Sequence, residues 1–434
     1  LNPALPAQFA PLSEGDTSAL VFSVLFLVFL AASFMLRLWL SVRQSRHVMR
    51  HREQVPAPFD VAISLHAHQR AAAYTVARLR LAMWESLAQV AWLIGLTMLG
   101  GLQWLIALTA LLPSDWDSLR GPLLVCSVLI IGALVDLPFA WWRQFHLEER
   151  FGFNRMTRRL FMTDLTRSIL VSAVLGLPLL FAVLAVMDAA GSLWWLWAWA
   201  IWVAFNVIVL LVFPAFIAPL FNRFEPLPDG VVRDRVEALL ARTRFSAKGL
   251  FVMDGSRRSA HGNAYFTGFG RARRIVFFDT LLNQLDADEI EAVLAHELGH
   301  FKLKHLQKRL VAMTLGSLIA LALLGWLSGQ PWFYLGLGAA PDQAVRSATA
   351  LVLFMLAAPV FLFPLGPVTS ALSRRDEFAA DAFAAQLARP EALASALTKL
   401  YRDNAATLTS DPLYSALNDS HPPALQRIAR LQGA

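Results

Sequence analysis

Charge is scarce in this chain. Asp, Glu, Lys and Arg make up only 16% of its 434 residues, against roughly a quarter in a soluble globular domain. That shortage excludes an ordinary water-solvated fold. Cysteine is nearly absent: Cys126 stands alone, which rules out an internal disulfide and any Cys-rich zinc centre, so a metal here must use His and carboxylate. Internal repeats and low-complexity linkers are also missing, which argues against solenoid and tethered-module architectures.

What the chain has instead is apolar length, 57% of its residues being hydrophobic with a mean hydropathy of +0.51. A membrane-spanning helix needs roughly 20 mostly apolar residues. Seven stretches qualify, at about 19–40, 86–112, 121–142, 168–187, 192–217, 311–327 and 348–365. Gly100-Gly101 interrupts the second, and Pro214 and Pro219 bend or end the fifth. The first is too long for a signal-peptide core, and its basic residues follow it rather than precede it, so it reads as a retained helix.

Arginine then sets the orientation. Residues 42–80 carry seven arginines against Glu53 and Asp60, and the 143–167 connection carries Arg143, Arg150, Arg155, Arg158, Arg159 and Arg167. The opposite loops are short and almost without basic residues. The positive-inside rule therefore predicts an outside N-terminus, with the C-terminus and all polar segments cytoplasmic. The formal net charge of +7 matches an anionic membrane face, and no nucleic-acid recognition fold is visible among these helices.

The sequence divides into membrane helices 1–5 with cytoplasmic loops 43–80 and 143–167 (residues 1–221), a cytoplasmic α+β segment (222–310), helices 6–7 (311–370) and a cytoplasmic tail (371–434). Within the α+β segment, 229–243 reads as an amphipathic helix. Runs 249–253, 274–279 and 261–267 read as strands, the last ending in a Gly268–Gly270 turn. The tail reads as helices broken at Pro390 and Pro422-Pro423.

Asp286 and Glu289 form the Asp-x-x-Glu pattern of a capping box, so a helix should start there. It runs on into His296-Glu297-Leu-Gly-His300. Residues four apart share a helix face, so His296 and His300 offer two imidazoles to one ion, with Glu297 beside them. A catalytic zinc keeps three protein ligands and an open position, and Glu297 is placed to act there as general base. The third ligand is predicted at Glu377, with Asp381 one turn later holding a ligand imidazole. Asp376 is the competing ligand, facing about 100° away from Glu377 on the same helix. His305 lies off the zinc face and reads as solvated. Asp136, within the third span, is open to two readings: a functional intramembrane charge, or a side chain reaching water.

At this point the chain resembles the type I CAAX prenyl endopeptidases, integral-membrane zinc proteases that process a-factor and prelamin precursors. The resemblance rests on Glu148 through Thr157, on Asn263-Ala-Tyr-Phe-Thr-Gly268, on Arg274 through Leu281, on Glu377-Phe-Ala-Ala-Asp381, and on Ser420-His-Pro-Pro423 with Arg427. It implies an α-helical polytopic membrane protein with seven transmembrane helices enclosing a hydrated chamber, joined to a cytoplasmic α+β zinc metalloprotease domain of gluzincin-like form. It implies one Zn²⁺ on His296, His300 and Glu377, with Glu297 as base and Asp381 behind the ligands. His421 is assigned to oxyanion stabilisation and Arg427 to holding the tail against the site. Asn263, Ala264 and Tyr265 become an edge strand to which a peptide substrate adds.

The Ala- and Arg-rich composition with five lysines points to a bacterial chain, hence an inner membrane. Bacteria generally lack prenylated CAAX proteins of their own, so other membrane-associated or misfolded peptides are equal candidates as substrate. Two alternatives stay open at this level: an HtpX-like quality-control protease and a non-enzymatic seven-helix transporter or receptor.

Overall fold

A computed structural model describes residues 14–267 and 273–433; the Gly268–Gly270 turn lies outside the described residues. Helices α1 (Glu14–Arg50), α2 (Leu65–Leu96), α3 (Gly101–Thr109), α4 (Asp117–Trp142), α5 (Arg158–Ala189) and α6 (Trp194–Val212) come first. A hydrocarbon layer offers no partner to backbone N–H and C=O groups, so helices that satisfy their own are the form such sequences must take. Among the described residues, six helices are long and apolar enough to cross a membrane. A seventh span follows if α2 and α3, bent by 56° across the break, are taken as one. The break is the predicted Gly100-Gly101 site, where Gly100 caps α3 at φ 78°, a conformation costly for any residue with a Cβ. Val174, Ile319 and Met313 stand 70%, 70% and 69% exposed, a surface suited to lipid and not to water.

Two sequence boundaries are corrected. Residues 43–80 are mostly helical, because α1 runs on to Arg50 and α2 already starts at Leu65 on the Ser64 cap. The 143–167 connection opens with a π-helical turn, Arg143–Glu148, and gives way to α5 at Arg158. Hydropathy marks only the part of a helix that lipid would surround. Hydrogen bonding carries the helix further.

After a π-helical turn at Phe213–Ile217, which contains Pro214, and the short α7 (Ala218–Phe221), the polar segment begins. It holds β1 (Phe224–Pro226), α8 (Val231–Arg242), β2 (Gly249–Met253), β3 (Ala264–Thr267), β4 (Arg274–Phe278), α9 (Asp279–Gln284) and α10 (Ala287–Lys302). The sheet order is β1-β2-β4-β3, with β2 and β4 parallel and the other pairs antiparallel. β2 matches its predicted run, and the β1 strand was not predicted. β3 is therefore an edge strand, paired to β4 in the register Ala264 to Phe277 and Thr267 to Arg274.

The chain returns through α11 (His305–Leu327), α12 (Pro331–Leu335) and α13 (Arg346–Leu362), then leaves along α14 (Gly366–Leu387), α15 (Pro390–Asp403), α16 (Pro412–Asn418) and α17 (Ala424–Gln432). Pro390 opens α15 and Pro422-Pro423 precede α17, where a missing N–H costs nothing. Three core clusters form among the described residues. One lies among the long helices around Phe26, Leu102, Leu124 and Leu353. A second joins β4, α8, α10, α15 and α17 through Phe277, Leu239, Leu294, Ala396 and Ile428. A third, smaller one gathers Tyr74, Leu147, Phe151 and Phe153.

Candidate metal centre

α10 starts on the predicted capping box. Asp286 accepts from Glu289 N at 3.0 Å, and Glu289 accepts from Asp286 N at 2.9 Å. The buried Glu289 carboxylate also takes Ser395 Oγ and Lys399 Nζ, each at 2.7 Å, which pins the helix start to α15. Two turns on, His296 and His300 face α14. Gly299 lets the helices meet: a Cβ there would lie 3.0 Å from Ala380 Cα and 3.1 Å from its carbonyl oxygen. Gly299→Val should therefore push the helices apart, lowering stability by about 1–3 kcal/mol and separating His296 and His300 from α14, with weaker metal binding. Thermal unfolding and a zinc competition titration check this; unchanged zinc affinity would show that the close crossing does not set the site.

Across that crossing, His296 Nε2 and His300 Nε2 are 3.2 Å apart. Glu377 from α14 brings Oε1 to 3.3 Å from His300 Nε2 and Oε2 to 3.5 Å from His296 Nε2. Donor atoms on a tetrahedral zinc, with bonds of roughly 2.0–2.1 Å, are separated by about 3.3 Å. Buried Glu377 Oε2 has no hydrogen-bond partner among the described residues. Burial pushes the His296 imidazole down, but the Asp381 and Glu377 carboxylates outweigh it and hold it up at about 9. The cluster thus attracts a cation, and its donor set fits zinc.

The surrounding side chains form a layered support. Asp381 Oδ1 lies 2.8 Å from His296 Nδ1, and Arg427 from α17 donates to both Asp381 oxygens at 2.6 and 2.8 Å. Arg427 also reaches within 3.8 Å of Glu377; all of these groups are buried. His421 is exposed, with Nε2 3.5 Å from Glu377 Oε1. Its position depends on Arg374, whose guanidinium donates to the carbonyls of Ser415, Asp419 and Ala416 at 3.1, 2.7 and 2.9 Å. Sequence reasoning missed Arg374, since the mixed-charge run Arg374-Arg-Asp-Glu377 looks like a solvated helix face. Glu297 is half-buried, its carboxylate makes no hydrogen bond among the described residues, and burial pushes that carboxyl up from the ordinary range.

The expectation for His305 is overturned. It is buried, with Nδ1 3.0 Å from His300 Nδ1 and Nε2 3.4 Å from Asp376 Oδ1. The cause is the left-handed Lys304, at φ 60°, which turns the chain between α10 and α11 and swings His305 back. Asp376, the competing ligand, points to His305 rather than into the three-residue cluster. Asp136 lies away from this centre, in contact with Gln89 at 3.5 Å.

β3 packs beside α10. Ala264 and Phe266 face the core, whereas Tyr265 and Thr267 turn towards Phe213 and Pro214. Asn263 is exposed just before the strand. The approach to β3 is held by the 148–157 segment. Glu148 takes the Tyr74 hydroxyl at 2.6 Å and lies 3.7 Å from His261 Nε2, while Phe153 stacks on the His261 ring at 4.5 Å. Asn154 bridges Ser259, and Arg155 N donates to Arg258 O at 3.2 Å.

Comparison with known proteins places the chain as a whole. Residues 44–223 match the family described as CAAX prenyl protease N-terminal, five membrane helices, and residues 226–434 match peptidase family M48. A CAAX prenyl protease 1 homolog of Oryza sativa subsp. japonica is 32% identical over 415 residues, covering 94% of this chain and 96% of its own. The CAAX prenyl protease 1 of Saccharomyces cerevisiae is 35% identical over 316 residues, 69% of each chain. The crystal structure of S. mikatae Ste24p superposes with a TM-score of 0.87 at 28% identity, covering 94% of this chain and 99% of that one. The N-terminal match does not favour the HtpX-like alternative, and the peptidase match does not favour a transporter or receptor.

Proposed function

Because this chain belongs to peptidase family M48, in its CAAX prenyl protease branch, we propose that His296, His300 and Glu377 hold one zinc ion and that Glu297 is the general base. The protein is an integral-membrane metallopeptidase acting on peptides. The observation that carries the site assignment is the meeting of three donors at 3.2–3.5 Å, from buried His296 and Glu377 and half-buried His300, with a carboxylate free of protein partners one residue along the same helix.

Zinc held there supplies Lewis acidity towards water and the scissile carbonyl. Glu297 takes the proton of the attacking water and passes it to the leaving amine. Asp381 holds His296 by Nδ1, Arg427 holds Asp381 and so fastens the tail, and His305 holds His300. Exposed His421 donates to the oxyanion as it develops. The open edge formed by Asn263 and the start of β3, at Ala264 and Tyr265, pairs with the substrate main chain.

The same reading assigns 1–221 and 311–370 to the membrane, as seven helices around a hydrated chamber, with 222–310 and 371–434 cytoplasmic and the N-terminus outside. Substrates are prenylated CAAX-type peptides or other membrane-associated peptides. The test is zinc content together with cleavage of a farnesylated CAAX peptide and its unprenylated twin. One zinc per chain and faster cleavage of the farnesylated peptide are expected. Equal rates would remove prenylation from the substrate definition, and zinc-free protein with full activity would overturn the assignment.

A further inference from the structure

We propose that the groove between α2 and the end of α4 binds one anionic phospholipid, with its phosphate on Arg80 and Arg150 and an acyl chain along Trp84, Phe139 and Trp142. Two adjoining hollows build it. One, of about 360 Å³, is lined by Arg52, Gln69, Arg80 and Arg150 together with Met49 and small apolar residues. The other, of about 810 Å³, shares Ala77, Arg80 and Arg150 and continues over Trp84, Pro138, Phe139 and Trp142. A cationic mouth thus opens directly into an aromatic trough. This is the polarity sequence of a phospholipid, headgroup to tail.

The charges at the mouth are available. Arg52 pairs with Glu53, but neither Arg80 nor Arg150 has a carboxylate within ion-pair distance among the described residues; Arg150 only lies over the Phe151 ring at 5.6 Å. The one acidic lining residue, Glu149, accepts from Asn154 Nδ2 at 2.7 Å. His146 stacks flat on Trp142 at 4.2 Å and 8°, holding that indole in the wall. Depth agrees as well: the apolar stretches 86–112 and 121–142 begin just after Trp84 and end at Trp142, which puts the two tryptophans at the hydrocarbon boundary, where indoles concentrate, and Arg80 and Arg150 on its polar side. Basic side chains at such a boundary attract anionic lipid. Neither arginine touches the proposed zinc centre or its supports, so the inference stands independently of that reading.

The experiment uses the full chain, delipidated in detergent and presented with phosphatidylglycerol or phosphatidylcholine of identical acyl chains, with retained lipid read by native mass spectrometry. Wild type should prefer phosphatidylglycerol, and Arg80→Gln/Arg150→Gln should lower that preference by roughly tenfold or more. Arg159→Gln/Arg167→Gln, which removes the same charge elsewhere on the basic face, should leave it intact. Both arginine pairs are surface side chains, and an unchanged unfolding midpoint confirms folding. Three results would each overturn the proposal: an undiminished preference in the first variant, an equal loss in the second, or displacement of the lipid by inorganic phosphate alone, which marks a phosphate site without a tail.

Discussion

Glu297→Ala is expected to abolish peptide hydrolysis while leaving the metal in place. The carboxylate has no protein partner among the described residues, so its removal breaks no support of His296, His300 or Glu377. The rate should fall by about 10²–10⁴-fold, the usual contribution of a positioned general base, and the loss should appear in kcat. Glu297→Gln, which keeps the shape, should lose as much. Stability should move the other way. A carboxyl pushed up by burial is less favourable charged in the folded protein than in the unfolded chain, so the folded state is penalised as pH rises through the ordinary carboxylate range. Either variant should therefore unfold at or above the wild-type midpoint near neutral pH. Zinc analysis, steady-state kinetics and thermal unfolding on the same preparations check all three points. Activity above a tenth of wild type in either variant would exclude Glu297 as the base.

The second large effect is expected at Asp381. Its carboxylate receives two hydrogen bonds from Arg427 and lies 2.8 Å from His296 Nδ1. Asp381→Ala strands a buried guanidinium whose nearest remaining carboxylate, on Glu377, is 3.8 Å away. Breaking a buried pair by removing one partner costs about 3–5 kcal/mol. Releasing His296 should also weaken zinc binding by about 10–100-fold. The double variant Asp381→Ala/Arg427→Met separates the two contributions: it removes the unpaired charge and should recover much of the stability, while His296 stays unsupported and zinc affinity stays low. Glu377→Ala should weaken zinc further than either, because a donor is lost rather than a support. Full recovery of zinc affinity in the double variant would show that Asp381 acts only through Arg427.

Much of this was legible in the sequence, for identifiable reasons. The α10 start was readable because a capping box is a local pattern, Asp286 to Glu289, that needs no tertiary partner. The break at Gly100-Gly101, the amphipathic α8 and the β2 and β4 runs were readable for the same reason. His305 was not. Its burial depends on a left-handed Lys304, and lysine gives no signal of that conformation. Arg374 was hidden because its acceptors are carbonyls some 40 residues later, invisible to any local pattern.

The sequence by itself determined that the chain belongs in a membrane, that any metal would use imidazole and carboxylate, and that two histidines share one helix face. Those properties follow from composition and from the 3.6-residue helical period. Only the tertiary structure decided that Asp376 turns to a buried His305, that the partner of Arg427 is Asp381, and that β3 pairs with β4 beside α10. Each of these joins groups from separate elements, and Gly299 decides how closely two of those helices approach. Distance in space is set by such packing contacts, which no spacing along the chain encodes.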